Sequence, residues 1–66
     1  MKLKLLCWLI AEGALVKPGD ILCEIECGNA WQELEADQRG ILRRLKQTGD
    51  VFASDEMVCR IEPVAP

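Results

Sequence analysis

A chain of 66 residues has room for one small domain, since a fold of this size leaves about 40% of the surface of its unfolded chain exposed. Half of the residues are apolar, 29% are charged and the net charge is −3, a balance that excludes a disordered or membrane-embedded chain. A large enzyme pocket is therefore not expected, and the acidic charge without a basic stripe argues against nucleic acid as a partner.

The first predicted element is a β-strand at residues 3–10, an apolar run that begins among Lys2 and Lys4. The run is too short for a signal peptide, and no small-residue cleavage pattern follows it before Gly13. No apolar stretch approaches the ~20 residues needed to cross a bilayer. We therefore expect a cytoplasmic protein that does not contact a membrane.

Two turns and a short extended piece come next. Residues 11–13 form a turn, residues 15–16 are extended, and residues 17–20 form a β-turn. Pro18 presets φ at the second position of this β-turn, and Gly19 accepts a positive φ at the third. The pattern predicts a type II turn.

A β-hairpin follows, with an alternating run that ends at Cys27 and a return strand at residues 30–36. Gly28 and Asn29 lie between the two strands. A Gly-Asn pair favours a two-residue primed turn, because both central positions can need a positive φ. We expect the hairpin tip, residues 27–30, to be exposed. Trp31 beyond the tip is expected to pack across the strands or to contact a partner.

The chain repeats itself with a shift of 36 residues, which aligns residues 4–26 with residues 40–62 without a gap. Identical residues in the two copies are Leu6 and Leu42, Leu9 and Leu45, Gly13 and Gly49, Cys23 and Cys59, Ile25 and Ile61, and Glu26 and Glu62. Residues 37–40 form a turn between the copies, and no segment has the 3.6-residue apolar period of a helix. The sequence therefore predicts one all-β domain at residues 1–62, built from two similar halves and followed by a tail at residues 63–66.

Alternation along the strands predicts which side chains share a face. The rows expected to form a shared core are Ile21, Cys23 and Ile25 in the first copy, and Met57, Cys59 and Ile61 in the second. A further face of the first strand is apolar in one copy and mostly charged in the other: Leu6, Trp8 and Ile10 against Leu42, Arg44 and Lys46. Either a neighbouring subunit or a missing segment covers the apolar row, or the domain curls enough to bury part of it.

The cysteines do not predict a metal or redox site. The chain has no histidine and no Cys-x-x-Cys pair, so no zinc site is expected. Cys7, Cys23 and Cys59 are interpreted as small buried hydrophobes of strands, although an even count in a secreted chain would indicate disulfides. Cys27 beside the tip has acidic neighbours rather than the cation that activates a thiol, so thiol chemistry is not expected there.

These segments resemble the biotinyl/lipoyl domain family. Residues 8–13 together with residues 16–26 are similar to the signature of the family's first half, and residues 33–36, 40–42 and 49–51 fall at its second-half spacings. The resemblance covers about residues 4–62. It implies a flattened β-barrel or sandwich of two quasi-symmetric halves, the barrel-sandwich hybrid, which in the family carries lipoyl or biotin on a lysine at the hairpin tip.

Two departures from the family pattern bear on function. The positions of the family's modified tip hold Gly28 and Asn29, and an amide cannot be acylated as an amine can. The nearest lysines along the chain, Lys17 and Lys46, belong to other elements, so attachment is not transferred to them. The family's N-terminal strand also has no counterpart before Leu3, which leaves a sheet edge open to pairing with another chain.

Two functions are therefore predicted in competition. The first is a non-enzymatic scaffold without cofactor, which binds a protein partner through its acidic hairpin, with Glu24, Glu26 and Trp31, or through the face of Leu6, Trp8 and Ile10. The scaffold is also expected to form a homo-oligomer through that face or through the open edge. The second is a lipoyl or biotin carrier with an altered attachment site, in which Glu24 and Glu26 help partner enzymes to recognise the tip. In the carrier reading, residues 63–66 begin a Pro-containing linker; otherwise they are an ordinary frayed terminus.

Overall fold

The computed structural model describes residues 1–64, and these residues form an all-β domain of two antiparallel sheets. The strands, in chain order, are β1 (Lys2–Trp8), β2 (Leu15–Val16), β3 (Ile21–Cys27), β4 (Ala30–Glu35), β5 (Gly40–Arg44), β6 (Val51–Ala53) and β7 (Cys59–Glu62). Within the described residues no helix is long and apolar enough to cross a membrane. The first strand ends at Trp8, two residues before the predicted end at residue 10, because the chain turns there.

The two halves of the repeat exchange their short strands. One sheet has the order β4-β3-β1-β6 and the other has the order β2-β5-β7. The first strand of each half pairs with the last strand of its own half and with the short strand of the other half: β1 with β3 and β6, β5 with β7 and β2. The predicted quasi-symmetric β architecture is confirmed, although the sheets do not close into a barrel.

The acidic turns of the two halves have the same hydrogen bonds. The Asp20 N–H donates to the Lys17 carbonyl at 3.1 Å, and the Glu56 N–H donates to the Ala53 carbonyl at 3.0 Å. In each turn the carboxylate accepts a bond from the backbone N–H of the first residue. Gly19 has a φ of 93°, which confirms the type II turn predicted at residues 17–20.

A β-bulge in β1 changes which side chains face the interior. The register against β3 shifts between Leu5 and Cys7, so Leu6 is the extra residue of β1. Before the bulge Leu5 points inward; after it, Cys7 points outward and Trp8 points inward. The prediction that Leu6, Trp8 and Ile10 form one row is therefore wrong, because the bulge breaks the alternation on which it depends.

The same bulge offsets the repeat by one residue at its start. The Leu5 N–H donates to Asp50 O at 2.9 Å, and the equivalent bond of the second half runs from the Leu42 N–H to Ala14 O, also at 2.9 Å. Leu5 and Leu42 are both fully buried. The structural counterpart of Leu42 is thus Leu5 rather than Leu6, and the alignment without a gap is corrected there.

The interior consists of two apolar clusters. The first contains Leu5, Cys23, Ile25, Phe52 and Val58. The second contains Val16, Leu22, Ala36 and Leu42. Trp8 packs against both clusters and connects them.

The predicted core rows are only partly correct. A second register shift, in β3 between Ile21 and Cys23, lets Leu22 and Cys23 both be buried, each in a different cluster. In the second half Val58 is buried, whereas Met57 is 61% exposed and is not part of the core. Strict alternation fails in both places because the chain crosses from one cluster to the other.

The cysteines are free thiols with different exposure. Cys23 is buried, as predicted, but Cys7 and Cys59 are only half-buried. Burial raises the pKa of the Cys23 thiol to about 11. After β7 the chain continues as Pro63 and Val64, which are exposed and irregular, and the remainder of the predicted tail lies outside the described residues.

Candidate functional site

The hairpin tip is a two-residue turn that projects from the end of β3 and β4. Cys27 is paired with Ala30, and Gly28 and Asn29 connect them. Gly28 has a φ of 61°, and a Cβ built on it would have no heavy atom within 4 Å, so the tip is open to solvent. Asn29 does not have a positive φ, so the expectation that both central residues would need one is corrected: a single glycine provides the left-handed position.

Next to the tip, β3 and β4 present an acidic face, which we define as Glu24, Glu26, Trp31 and Glu33. Glu24 lies directly opposite Glu33, and Glu26 lies directly opposite Trp31, so the four side chains share one side of the sheet. The indole of Trp31 is 61% exposed. Like charges in directly opposed positions repel each other, so the pair of Glu24 and Glu33 destabilises the pairing of β3 with β4.

The Cys7 thiol, on the same side of the sheet as the acidic face, donates a hydrogen bond to Glu24 Oε1 at 3.3 Å. This bond, together with partial burial and the charge of Glu24, raises the pKa of the Cys7 thiol. The thiol is therefore kept protonated, and a protonated thiol is a poor nucleophile.

Cys27 at the tip contacts the start of the chain instead of a cation. Its thiol donates to Met1 Sδ at 3.0 Å, and Met1 itself is 86% exposed. Among the described residues no group of three or more histidine, cysteine, aspartate or glutamate side chains is placed to hold a metal ion. The surroundings of Cys27 give no support to thiol or metal chemistry at the tip.

Trp8, a predicted interaction residue, is covered by the other half of the same chain. The Arg44 guanidinium lies over its ring, 5.0 Å from the centroid, and the Trp8 Nε1–H donates to Lys46 O at 2.9 Å. Arg44 donates in turn to Ile10 O at 3.3 Å. Trp8 and Arg44, which are equivalent in the repeat, thus each donate a hydrogen bond to the loop that follows the other. Ile10 packs against the second cluster. Of the predicted explanations, the structure favours cover by the domain itself for Trp8 and Ile10.

A carboxylate network fixes the loop after β1 to the second sheet. Glu12 accepts a 2.6 Å bond from the Arg44 N–H and one of 3.4 Å from Arg43, and Arg43 also donates to Glu62 at 2.8 Å. These bonds and the neighbouring guanidinium groups lower the pKa values of Glu12 and Glu62. The sequence did not predict this network, since its members come from distant segments.

The family model Biotin_lipoyl, described as "Biotin-requiring enzyme", matches residues 2–61. The chain belongs to the biotinyl/lipoyl domain family. The resemblance read from residues 4–62 is thereby confirmed. No solved structure matches the chain with significance.

Three curated relatives of this biotinyl/lipoyl domain are components of one type of complex. Components 2 and 3 of the mitochondrial dihydrolipoyllysine-residue acetyltransferase of the pyruvate dehydrogenase complex of Arabidopsis thaliana are each 37% identical over 54 residues, which cover 70% of this chain and 10% of each relative. The corresponding acetyltransferase component of Zymomonas mobilis is 47% identical over 38 residues, which cover 58% of this chain and 9% of the relative. The domain thus spans about a tenth of the length of these relatives.

The amines nearest the tip of this biotinyl/lipoyl domain are not the ones expected from the sequence. Lys17 is paired with Asp20, and Lys46 is in the loop after β5, away from the tip. The register places Leu3 opposite Cys27, so Lys2 and Lys4 on β1 lie beside the hairpin end. This proximity depends on the pairing of β1 with β3, which spacing along the chain does not reveal.

Proposed function

We propose that this biotinyl/lipoyl domain does not carry the cofactor and acts as a non-enzymatic protein-binding scaffold. The observation that carries the proposal is the tip itself, where Gly28 and Asn29 form a regular two-residue turn that has no lysine amine. The amide nitrogen of Asn29 is not a nucleophile, so the acylation that loads a lysine has no acceptor at this position. The hairpin geometry has been kept and the reactive group is absent.

The acidic face is the surface through which we propose that the scaffold meets its protein partner. Its directly opposed pair, Glu24 and Glu33, is a cost within the isolated domain that a basic partner would relieve. The exposed ring of Trp31 beside it offers the aromatic contact area that protein interfaces favour. The apolar row at Trp8 is not proposed for this role, since Arg44 covers it.

No catalytic role is included in the proposal. The Cys7 thiol is held protonated by its bond to Glu24, and burial does the same for Cys23. Self-association through a sheet edge, which the sequence predicts, is a separate proposal. The cytoplasmic location stays a prediction.

A second candidate is the carrier function, and the relatives favour it. The names of these relatives describe a dihydrolipoyllysine residue and a pyruvate dehydrogenase complex. For this chain a carrier role would require a lysine other than one at position 29. Lys2 and Lys4 are the candidates by position, because β1 starts beside the tip.

The test that separates the two candidates is the Asn29→Lys variant, produced together with lipoate and biotin ligases. Asn29 is exposed and has no positive φ, so a lysine is accommodated there without backbone strain. We expect intact mass to show one added cofactor on the variant and none on the unaltered chain.

The matched control is Asn29→Gln, which lengthens the side chain but adds no amine, and it should remain unmodified. Modification of the unaltered chain, mapped by peptide mass to Lys2 or Lys4, would instead support the carrier. An unmodified Asn29→Lys variant would show that the ligases do not recognise this tip, and would contradict the proposal that the missing amine is what prevents loading.

A further inference from the structure

The two halves differ in how their last strands are flanked. In the first half β3 lies between β1 and β4, whereas in the second half β7 has only β5 as a neighbour among the described residues. β4 is therefore the one strand without a counterpart in the other half. The free side of β7 is where that counterpart would lie.

The backbone groups on the free side of β7 can be identified from its neighbours. Leu42 uses its N–H and its carbonyl for Ala14 and Gly13, on the side of β5 that faces away from β7. Leu42 is paired with Ile61, so this pair is not hydrogen-bonded, and the polar groups of Ile61 point outward. The bond that Gln38 Nε2 donates to Ile61 O at 3.3 Å confirms this direction. By the same alternation, Cys59 also points its N–H and carbonyl outward.

A groove of about 380 Å³ lies along this free edge. Its apolar lining comes from both sheets and includes Leu22, Leu34, Met57, Cys59 and Ile61. Cys59 and Ile61 already pack against the second cluster. A strand added beside β7 would cover the open backbone groups and direct alternate side chains into this groove.

We propose that the free edge of β7 binds β7 of a second copy of this chain, antiparallel, with Ile61 opposite Ile61. In this register the Arg60 of each copy faces the Glu62 of the other on the outer side of the sheet. Arg60 and Glu62 are themselves 2.9 Å apart within one chain, so the four side chains form an alternating group of charges. Ile61 of the second copy would extend toward the groove.

Charge selects this register over the neighbouring ones. Sliding one strand by two residues relative to the other again places outward-pointing backbone groups opposite each other. This shift places Arg60 opposite Arg60 in one direction and Glu62 opposite Glu62 in the other. Like charges in directly opposed positions destabilise a strand pair. In the selected register the two Ile61 residues exchange both of their hydrogen bonds, and in each copy the new bond to Ile61 O replaces the one from Gln38 Nε2. The Cys59 N–H of each copy donates to the Pro63 carbonyl of the other. The contact is short, so the dimer is reversible and forms at high concentration.

The test combines a charge reversal with amide exchange on the full chain. Sedimentation of the unaltered chain should show a monomer that becomes a dimer as concentration rises, and Arg60→Glu should weaken this association about tenfold or more, since it places like charges in both contacts. The control Lys17→Glu makes the same charge change on a largely exposed side chain of the turn before β3, outside β7 and the groove, and should leave association unchanged. Circular dichroism checks that both variants are folded.

Hydrogen exchange followed by NMR identifies the edge. The amides of Cys59 and Ile61 should gain protection as the dimer forms, whereas those of Arg60 and Glu62, which are bonded to β5, should be protected at every concentration. A chain that stays monomeric at its highest soluble concentration would overturn the proposal. So would a dimer that forms without protection of Cys59 and Ile61, or one that Arg60→Glu leaves intact. None of these outcomes depends on whether the tip carries a cofactor.

Discussion

The two tryptophans of this domain have different environments, so their substitution should affect stability differently. Trp8 contacts both core clusters, lies under Arg44 and donates to Lys46 O, whereas Trp31 is exposed beside the tip. Trp8→Ala should therefore lower the free energy of unfolding by about 2 kcal/mol, below the full cost of truncating a completely buried ring. Urea titration followed by circular dichroism measures it.

The matched control is Trp31→Ala, which should change the free energy of unfolding by no more than about 0.5 kcal/mol. In the unaltered protein, acrylamide should quench the fluorescence of Trp31 more strongly than that of Trp8. Equal losses of stability in the two variants would contradict the placement of Trp8 between the clusters.

At the scale of elements, the pair of β3 and β4 contains an unfavourable contact that can be removed. Glu24 and Glu33 face each other directly, so Glu33→Gln should stabilise the fold by about 0.5 kcal/mol by removing this repulsion. Asp55→Asn makes the same charge change on the exposed turn after β6 and should have a smaller effect. The gain should shrink as salt is added, because salt screens exposed charges. If both variants behave alike, net charge rather than the opposed pair is responsible.

The elements also show what the sequence alone could predict. The turns at Gly19 and Gly28 were predictable, because a positive φ is a local feature of the backbone that glycine adopts more readily than other residues. The bulge at Leu6 was not, since an extra leucine in a strand looks like any other strand residue and only the pairing of β1 with β3 reveals it. From this one shift follow the inward direction of Trp8 and the corrected equivalence of Leu5 and Leu42.

At the scale of the whole molecule, stability should depend on pH in a direction that the carboxylates fix. Backbone N–H bonds and neighbouring cations lower the folded-state pKa values of Glu12, Asp20, Glu56 and Glu62. A lowered folded-state pKa gives stability that is present above the unfolded value, about 4, and is lost as pH falls through the folded value. The urea concentration at the unfolding midpoint should therefore decrease as the pH is lowered from neutral to below about 4.

The thiols set the alkaline side of the same profile. The pKa of Cys7 is raised and that of Cys23 is about 11, so their contribution is complete below the unfolded thiol pKa of about 8.5 and is lost as pH rises toward the folded values. Glu12→Gln should reduce the slope on the acid side and leave the alkaline side unchanged. A urea midpoint that does not change with acid would contradict the carboxylate network.

The candidate site was predictable in part at this scale as well. The family and the Gly28-Asn29 tip could be read from the sequence, because they depend on residues close together in the chain. The amines beside the tip could not, since Lys2 and Lys4 reach it only through the pairing of β1 with β3. The same holds for the cover that Arg44 places on Trp8, which joins the two halves of the repeat.

The most direct test of the central claim is the intact mass of the unaltered chain, recovered from cells that also contain lipoate and biotin ligases and a domain known to be loaded by them. We expect the unmodified mass for this chain while the other domain is fully loaded, because Asn29 offers no amine to acylate. A mass increased by one lipoyl or biotinyl group would be incompatible with a scaffold that carries no cofactor, and peptide mapping of the modified lysine would then assign the carrier function.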